Sequence, residues 1–171
     1  RRFSEKGLVI SLAAFFFLLP IVLYMPQILN GESIISGDGL LVLFSGDALR
    51  ESLLEGEIPL WSPAIAFGEP FAELNNHCYS PIFVICSFLP ILLRLPFYLG
   101  MHYAIAAVST FLLLRQLGCR KSVSLSITII YLFTIHMGGT RKEHSTLIAV
   151  STYVPLVTLW LNKYAKSGKL S

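Results

Sequence analysis

The sequence predicts an all-α fold: a polytopic transmembrane helical bundle with a long outer loop that carries an interfacial helix. Three observations lead there. Of 171 residues, 54% are hydrophobic and only 13% charged, with a mean hydropathy of +0.69; a soluble domain carries roughly a quarter charged residues. The apolar residues stand in long blocks rather than alternating with polar ones. The charges are segregated by sign along the chain.

The first block, 7–29, holds no charge and is long enough to span, since a bilayer core about 30 Å thick takes about 20 residues of helix. Pro20 is expected to kink it. Tyr24 near its end suits an aromatic belt. Its length, and the absence of a small-x-small site after it, argue against a signal peptide.

Residues 30–81 form an acidic, turn-rich outer loop. Within it a helix is expected over about 40–55. Asp47, Glu51 and Glu55 recur at four-residue spacing with Arg50 beside them, while Val42, Leu49 and Leu53 share another face. Leu43, Phe44 and Leu54 blur the pattern, which an interfacial helix tolerates. Gly56 ends it. Ile58-Pro59-Leu60-Trp61-Ser62-Pro63 is too proline-rich for a helix and predicts an ordered loop.

The run 82–96 is short and punctuated by Pro81, Pro90 and Pro96. It reads as interfacial or re-entrant. Spans are then expected at 97–117, 122–138 and 146–162, with an outer loop at 139–145. The domain assignment is one membrane domain over 1–171. The chain opens on Arg1 without Met and stops at Ser171 just after an apolar block, so part of a longer polytopic protein is expected.

Charge sets the orientation. Arg1, Arg2, Lys6, Arg115, Arg120, Lys121, Lys163, Lys166 and Lys169 flank the spans against the single acid Glu5. Residues 30–96 hold eight acids against Arg50 and Arg94. The positive-inside rule places both ends of this segment in the cytoplasm of a plasma-membrane protein. The net charge of +3 does not point to nucleic acid, because the basic residues sit in short clusters beside apolar blocks. Cys78, Cys86 and Cys119 form neither a disulfide framework nor a zinc pattern and read as small apolar filler.

Candidate chemistry lies in the outer loops. Asp38, between Gly37 and Gly39, is either a turn former or a general base at the membrane–water boundary. Asp47 is the second candidate, though it also fits a solvated helix face. Trp61 and Tyr79 either stack on a sugar or anchor at the interface; anchoring is favoured. Arg141 and Lys142 suit a lipid-linked phosphate. Glu143 or His144 either joins Asp38 around a divalent cation or orients an acceptor, and the same four residues also read as a plain hydrophilic turn. His77 reads as a surface histidine, and His102 and His136 as helix–helix hydrogen bonders. No nucleotide loop, metalloprotease helix or Ser–His–Asp pattern is present.

Taken together, Gly37-Asp38-Gly39, the acidic helix, Leu54-Glu-Gly-Glu-Ile-Pro-Leu-Trp-Ser-Pro, Phe67-Gly-Glu-Pro-Phe and Tyr79-Ser-Pro resemble the N-terminal part of the YfhO family of bacterial membrane proteins. Leu114-Arg-Gln-Leu-Gly-Cys-Arg, and His144 before Pro155-Leu, fit the same pattern. The Gly-x-x-Pro-Leu-Trp-x-Pro element, from Gly56 to Pro63, is the specific part. Ser62 departs from the Asn common after that Trp, and Asn75-Asn76-His77 departs from a Gln- or Gly-bearing stretch. The resemblance implies a GT-C-like integral membrane glycosyltransferase. Its expected partners are the lipid bilayer, a polyprenyl-phosphate sugar donor and a glycan or teichoic-acid-like cell-envelope acceptor. It implies Asp38 as acid/base, with Glu143 and His144 near a second functional position. The rival expectation is a non-catalytic polytopic protein, a transporter or an envelope-assembly scaffold. A transporter places charge or broken helices near the bilayer midplane, whereas these charges cluster at helix ends.

Overall fold

The computed structural model describes residues 4–31, 39–62, 69–71, 79–134 and 145–168. Among them the chain is mostly helical, with short turns, the loop 55–60 and a two-residue antiparallel bridge between the helices. The helices are α1 (Glu5–Leu23), α2 (Met25–Asn30), α3 (Gly39–Leu54), α4 (Pro81–Ser87), α5 (Ile91–Gln116), α6 (Lys121–Leu132) and α7 (Ser145–Ser167). The bridge pairs β1 (Trp61–Ser62) with β2 (Glu69–Pro70), Trp61 opposite Pro70. Among the described residues, α1 and α5 are long and apolar enough to cross a membrane.

The helix limits follow from the prolines and caps. The expected span 7–29 is divided at Tyr24, and α1 closes at Leu23. The ring of Pro26 clashes with the carbonyl four residues back, at Val22, so one helix cannot run through. Pro20, by contrast, stays inside α1 and is buried. Gly31, at φ 68°, closes α2 with its N–H on the Ile28 and Gln27 carbonyls.

The segment 82–96 is not one element. Ser80 caps α4, its hydroxyl accepting from the Phe83 N–H at 3.2 Å, and Pro81 takes the first turn, where no N–H is needed. Residues 91–96 belong to α5, which runs unbroken through Pro96 for 26 residues, about 39 Å. Burial of Arg94, Leu95 and Tyr98 around that proline offsets the hydrogen bond it removes. The apolar helix α6 ends at Leu132, where 122–138 is expected; its 12 residues rise about 18 Å, short of the hydrocarbon core. Residues 135–138 lie outside the described residues.

By its internal contacts the chain divides into two compact units, and α1 and α5 each contribute to both. The first comprises Arg1–Pro20, Leu99–Lys142 and Leu147–Ser171. Its core is Leu12, Phe16, Ala106, Ala107, Phe111 and Leu132. Small residues let the helices approach closely: a Cβ on Gly100 would stand 2.4 Å from the Phe17 carbonyl oxygen. Ser124, Thr128 and Leu132, four residues apart, are the buried stripe of α6. The Ser124 and Thr128 hydroxyls donate to their own helix's carbonyls at Arg120 and Ser124, which satisfies these two groups inside the core.

The second unit comprises Ile21–Tyr98 and Glu143–Thr146. It is separate because the acidic stretch brings apolar residues of its own. Leu49, Phe71, Ile82, Phe83, Leu95 and Tyr98 are all buried. Helix α3 packs on α4.

Candidate functional site

Besides its packing on α4, the acidic helix α3 is tied to α5 by an ion pair. Arg94 donates from Nη2 to Asp47 Oδ1 at 2.6 Å and from Nε to the Leu89 carbonyl at 3.0 Å. The Arg94 side chain is 5% exposed and that of Asp47 48%. Gly46 makes room for the guanidinium, since a Cβ there would meet Nη1 at 3.2 Å. Phe83, Cys86, Ser87 and Tyr98 line the same small cavity as Gly46 and Arg94. Burial pushes the Cys86 thiol up to about 12, against a weaker downward pull from Arg94, which leaves it a poor nucleophile.

Arg94 is the residue that sequence reasoning passed over, counted only as a stray positive charge in an acidic region. The signal was present: a lone arginine in the uncharged run 81–114 is costly unless it finds a partner. That partner is Asp47, 47 positions earlier. One oxygen of the second catalytic candidate is thus engaged with Arg94, rather than resting beside Arg50 on a solvated face.

The loop of Ile58, Pro59, Leu60 and Trp61 is held at three points. Tyr79 donates its hydroxyl to the Pro59 carbonyl. The Phe71 N–H donates to the Leu60 carbonyl at 2.9 Å. Trp61 is bridged to Pro70. The Phe71 ring is fully buried and packs 6.0 Å from the Tyr79 ring. Of the two aromatic candidates, Tyr79 therefore serves the loop itself, while Trp61 stays 58% exposed. Asp38, Arg141, Lys142, Glu143 and His144 lie outside the described residues, as do Cys78, His77 and His136. Among the described residues no three His, Cys, Asp or Glu side chains stand close enough to share a metal ion. The divalent-cation expectation rests on Asp38, Glu143 and His144.

In the first unit, polar contacts collect at the helix ends. Arg115 donates from Nε to Glu5 Oε1 at 2.9 Å and from Nη1 to the Cys119 carbonyl at 2.6 Å. Lys166 donates to the Gln116 carbonyl at 3.1 Å. The start of α1, the end of α5, the turn into α6 and the last turn of α7 thereby meet in one polar collar. His102 is buried, with its ring 6.0 Å from that of Tyr153, and its carbonyl accepts from Thr152 Oγ1 at 3.4 Å. No protein-family model, curated protein or solved structure matches the chain.

Proposed function

We propose that this chain belongs to a multi-pass, GT-C-like glycosyltransferase of the plasma membrane, similar to the N-terminal part of the YfhO family. It would transfer a sugar from a polyprenyl-phosphate donor to a cell-envelope acceptor on the outer face. The observation that carries the membrane placement is the collar of Glu5, Arg115 and Lys166. Helices threading a bilayer in alternate directions bring the start of the first, the end of the second, the start of the third and the end of the fourth to one side. That side carries the basic residues that favour the cytoplasm. The acidic stretch 30–81 then falls outside, where the resemblance puts the chemistry.

In this reading Asp38 accepts the proton of the acceptor hydroxyl as its oxygen attacks the anomeric carbon. The bond from that carbon to the phosphate oxygen breaks, and polyprenyl phosphate departs with the bonding electron pair. Arg141 and Lys142 stabilise its charge. The donor's lipid tail stays in the bilayer, so its head reaches a boundary that water and acceptor also reach. A divalent cation held by Asp38 with Glu143 or His144 would serve the same phosphate.

The experiment is Asp38→Asn in the full-length protein, assayed for glycan added to the cell envelope. Loss of the glycan at normal protein level is the expected outcome. Unchanged glycan removes Asp38 as the base and favours the non-catalytic scaffold or transporter.

A further inference from the structure

The geometry points to the loop Ile58–Trp61 as a rigid membrane-inserting ribbon, seated at the headgroup–acyl boundary of the bilayer. Ile58, Leu60 and Trp61 are 66%, 77% and 58% exposed, while Pro59 between them is buried. Exposed apolar side chains in a row normally signal a surface that meets another apolar phase. This loop is held on both flanks, so its apolar side chains stand on a fixed backbone. The Tyr79 hydroxyl takes the Pro59 carbonyl, the Phe71 N–H takes the Leu60 carbonyl, and Trp61 is bridged to Pro70. The pins satisfy backbone groups that lipid would leave bare. They also settle the ordering entropy before the ribbon meets lipid.

Two further observations select lipid over the alternatives. First, the ribbon shares its compact unit with Ile21–Leu23 and Ile91–Tyr98, the ends of both helices long enough to cross a membrane. It therefore belongs to the body that holds those ends. Second, a sugar platform needs hydrogen-bonding groups beside the ring. The Tyr79 hydroxyl is committed to Pro59, and Leu60 before Trp61 and Pro70 opposite it are apolar, so the polar pair Ser62 and Glu69 lies one step further along the bridge. Glu55 and Glu57, exposed just before the ribbon, limit its depth to the interface. The inference rests on the membrane placement proposed above and not on the sugar-transfer chemistry.

The chain has two tryptophans, Trp61 and Trp160, and this makes the test direct. W160F and W61F each leave a single emitter. Each variant of this 171-residue chain is reconstituted in phosphatidylcholine vesicles with and without bromines near the headgroup end of the acyl chains. The expected result is blue-shifted Trp61 emission that brominated lipid quenches and aqueous iodide does not. Ile58→Ser with Leu60→Ser in the W160F protein should lose that quenching while the Tyr79-pinned fold persists by circular dichroism. Trp61 emission that iodide quenches and lipid does not, with Trp160 still lipid-quenched, overturns the ribbon alone. Emission that shifts on adding oligosaccharide, with no lipid quenching, assigns the ring to sugar instead and also overturns it. Neither tryptophan responding to lipid overturns the membrane placement as well.

Discussion

Gly100→Ala tests the helix crossing on which the first unit is built. In isolation the change should help, since alanine is favoured over glycine inside a helix by about 1 kcal/mol. The structure reverses the sign. The new methyl would lie 2.4 Å from the Phe17 carbonyl oxygen and 3.2 Å from Phe17 Cδ2. Ordinary carbon-to-carbonyl contacts between helices begin at about 3.3 Å, so α1 and α5 must part by roughly 0.9 Å at this level. The obstacle is backbone, so no change of side-chain rotamer relieves it. Overpacking of this kind costs about 1–3 kcal/mol, which outweighs the propensity gain at all but the low end of that range. Parting the helices also loosens the neighbouring contacts of Phe16, Ala106 and Ala107, which share one cluster. The assay is thermal unfolding of the detergent-solubilised protein, with Gly46→Ala as comparison. At Gly46 the nearest obstacle is the end of a long side chain, Arg94 Nη1 at 3.2 Å, which can yield. The expected order of Tm is wild type, then Gly46→Ala, then Gly100→Ala. A Gly100→Ala protein as stable as wild type, or more so, would refute the close approach of α1 and α5.

Three other outcomes follow from the polar contacts. Asp47→Ala should cost about 2 kcal/mol in the same unfolding assay. That is less than the 3–5 kcal/mol of a fully buried pair, because the Asp47 side chain is half in solvent; adding Arg94→Met should recover part of it. Tyr131→Phe should cost about 1 kcal/mol by removing the hydroxyl donated to the Ser151 carbonyl, and little in a Pro155→Ala background. Pro155 is what leaves that carbonyl free, since it has no N–H to return four residues back. Maleimide labelling of a Cys78→Ser protein near pH 8 should modify Cys119 and spare Cys86. Raising that thiol from 9.0 to about 12 cuts its thiolate about a thousandfold; equal labelling of both would refute its burial.

Hydropathy alone made α1, α5 and the existence of α6 and α7 legible, because uncharged runs of such length have few other uses. The acidic periodicity of Asp47, Glu51 and Glu55 located α3 for the same kind of reason. What stayed hidden depends on partners distant in sequence. The run 82–96 looked like one segment because proline was read only as a breaker. Ser80-Pro81 is a start signal, and Pro96 is carried by burial of its neighbours. The Asp47–Arg94 pair spans 47 positions, so nothing local to either residue shows it. The motif marks Tyr79 as a candidate, but only the fold brings its hydroxyl to the Pro59 carbonyl.

The polar collar has a consequence for biogenesis. Glu5 and Arg115 are 110 positions apart. At translation rates of about 5–20 residues per second, the early carboxylate waits roughly 6–20 s for its guanidinium. Lys166 closes on Gln116 after a further 50 residues. The Glu5 carboxylate is therefore made well before its guanidinium partner, and the helix ends of the collar are joined only once Lys166 has been made.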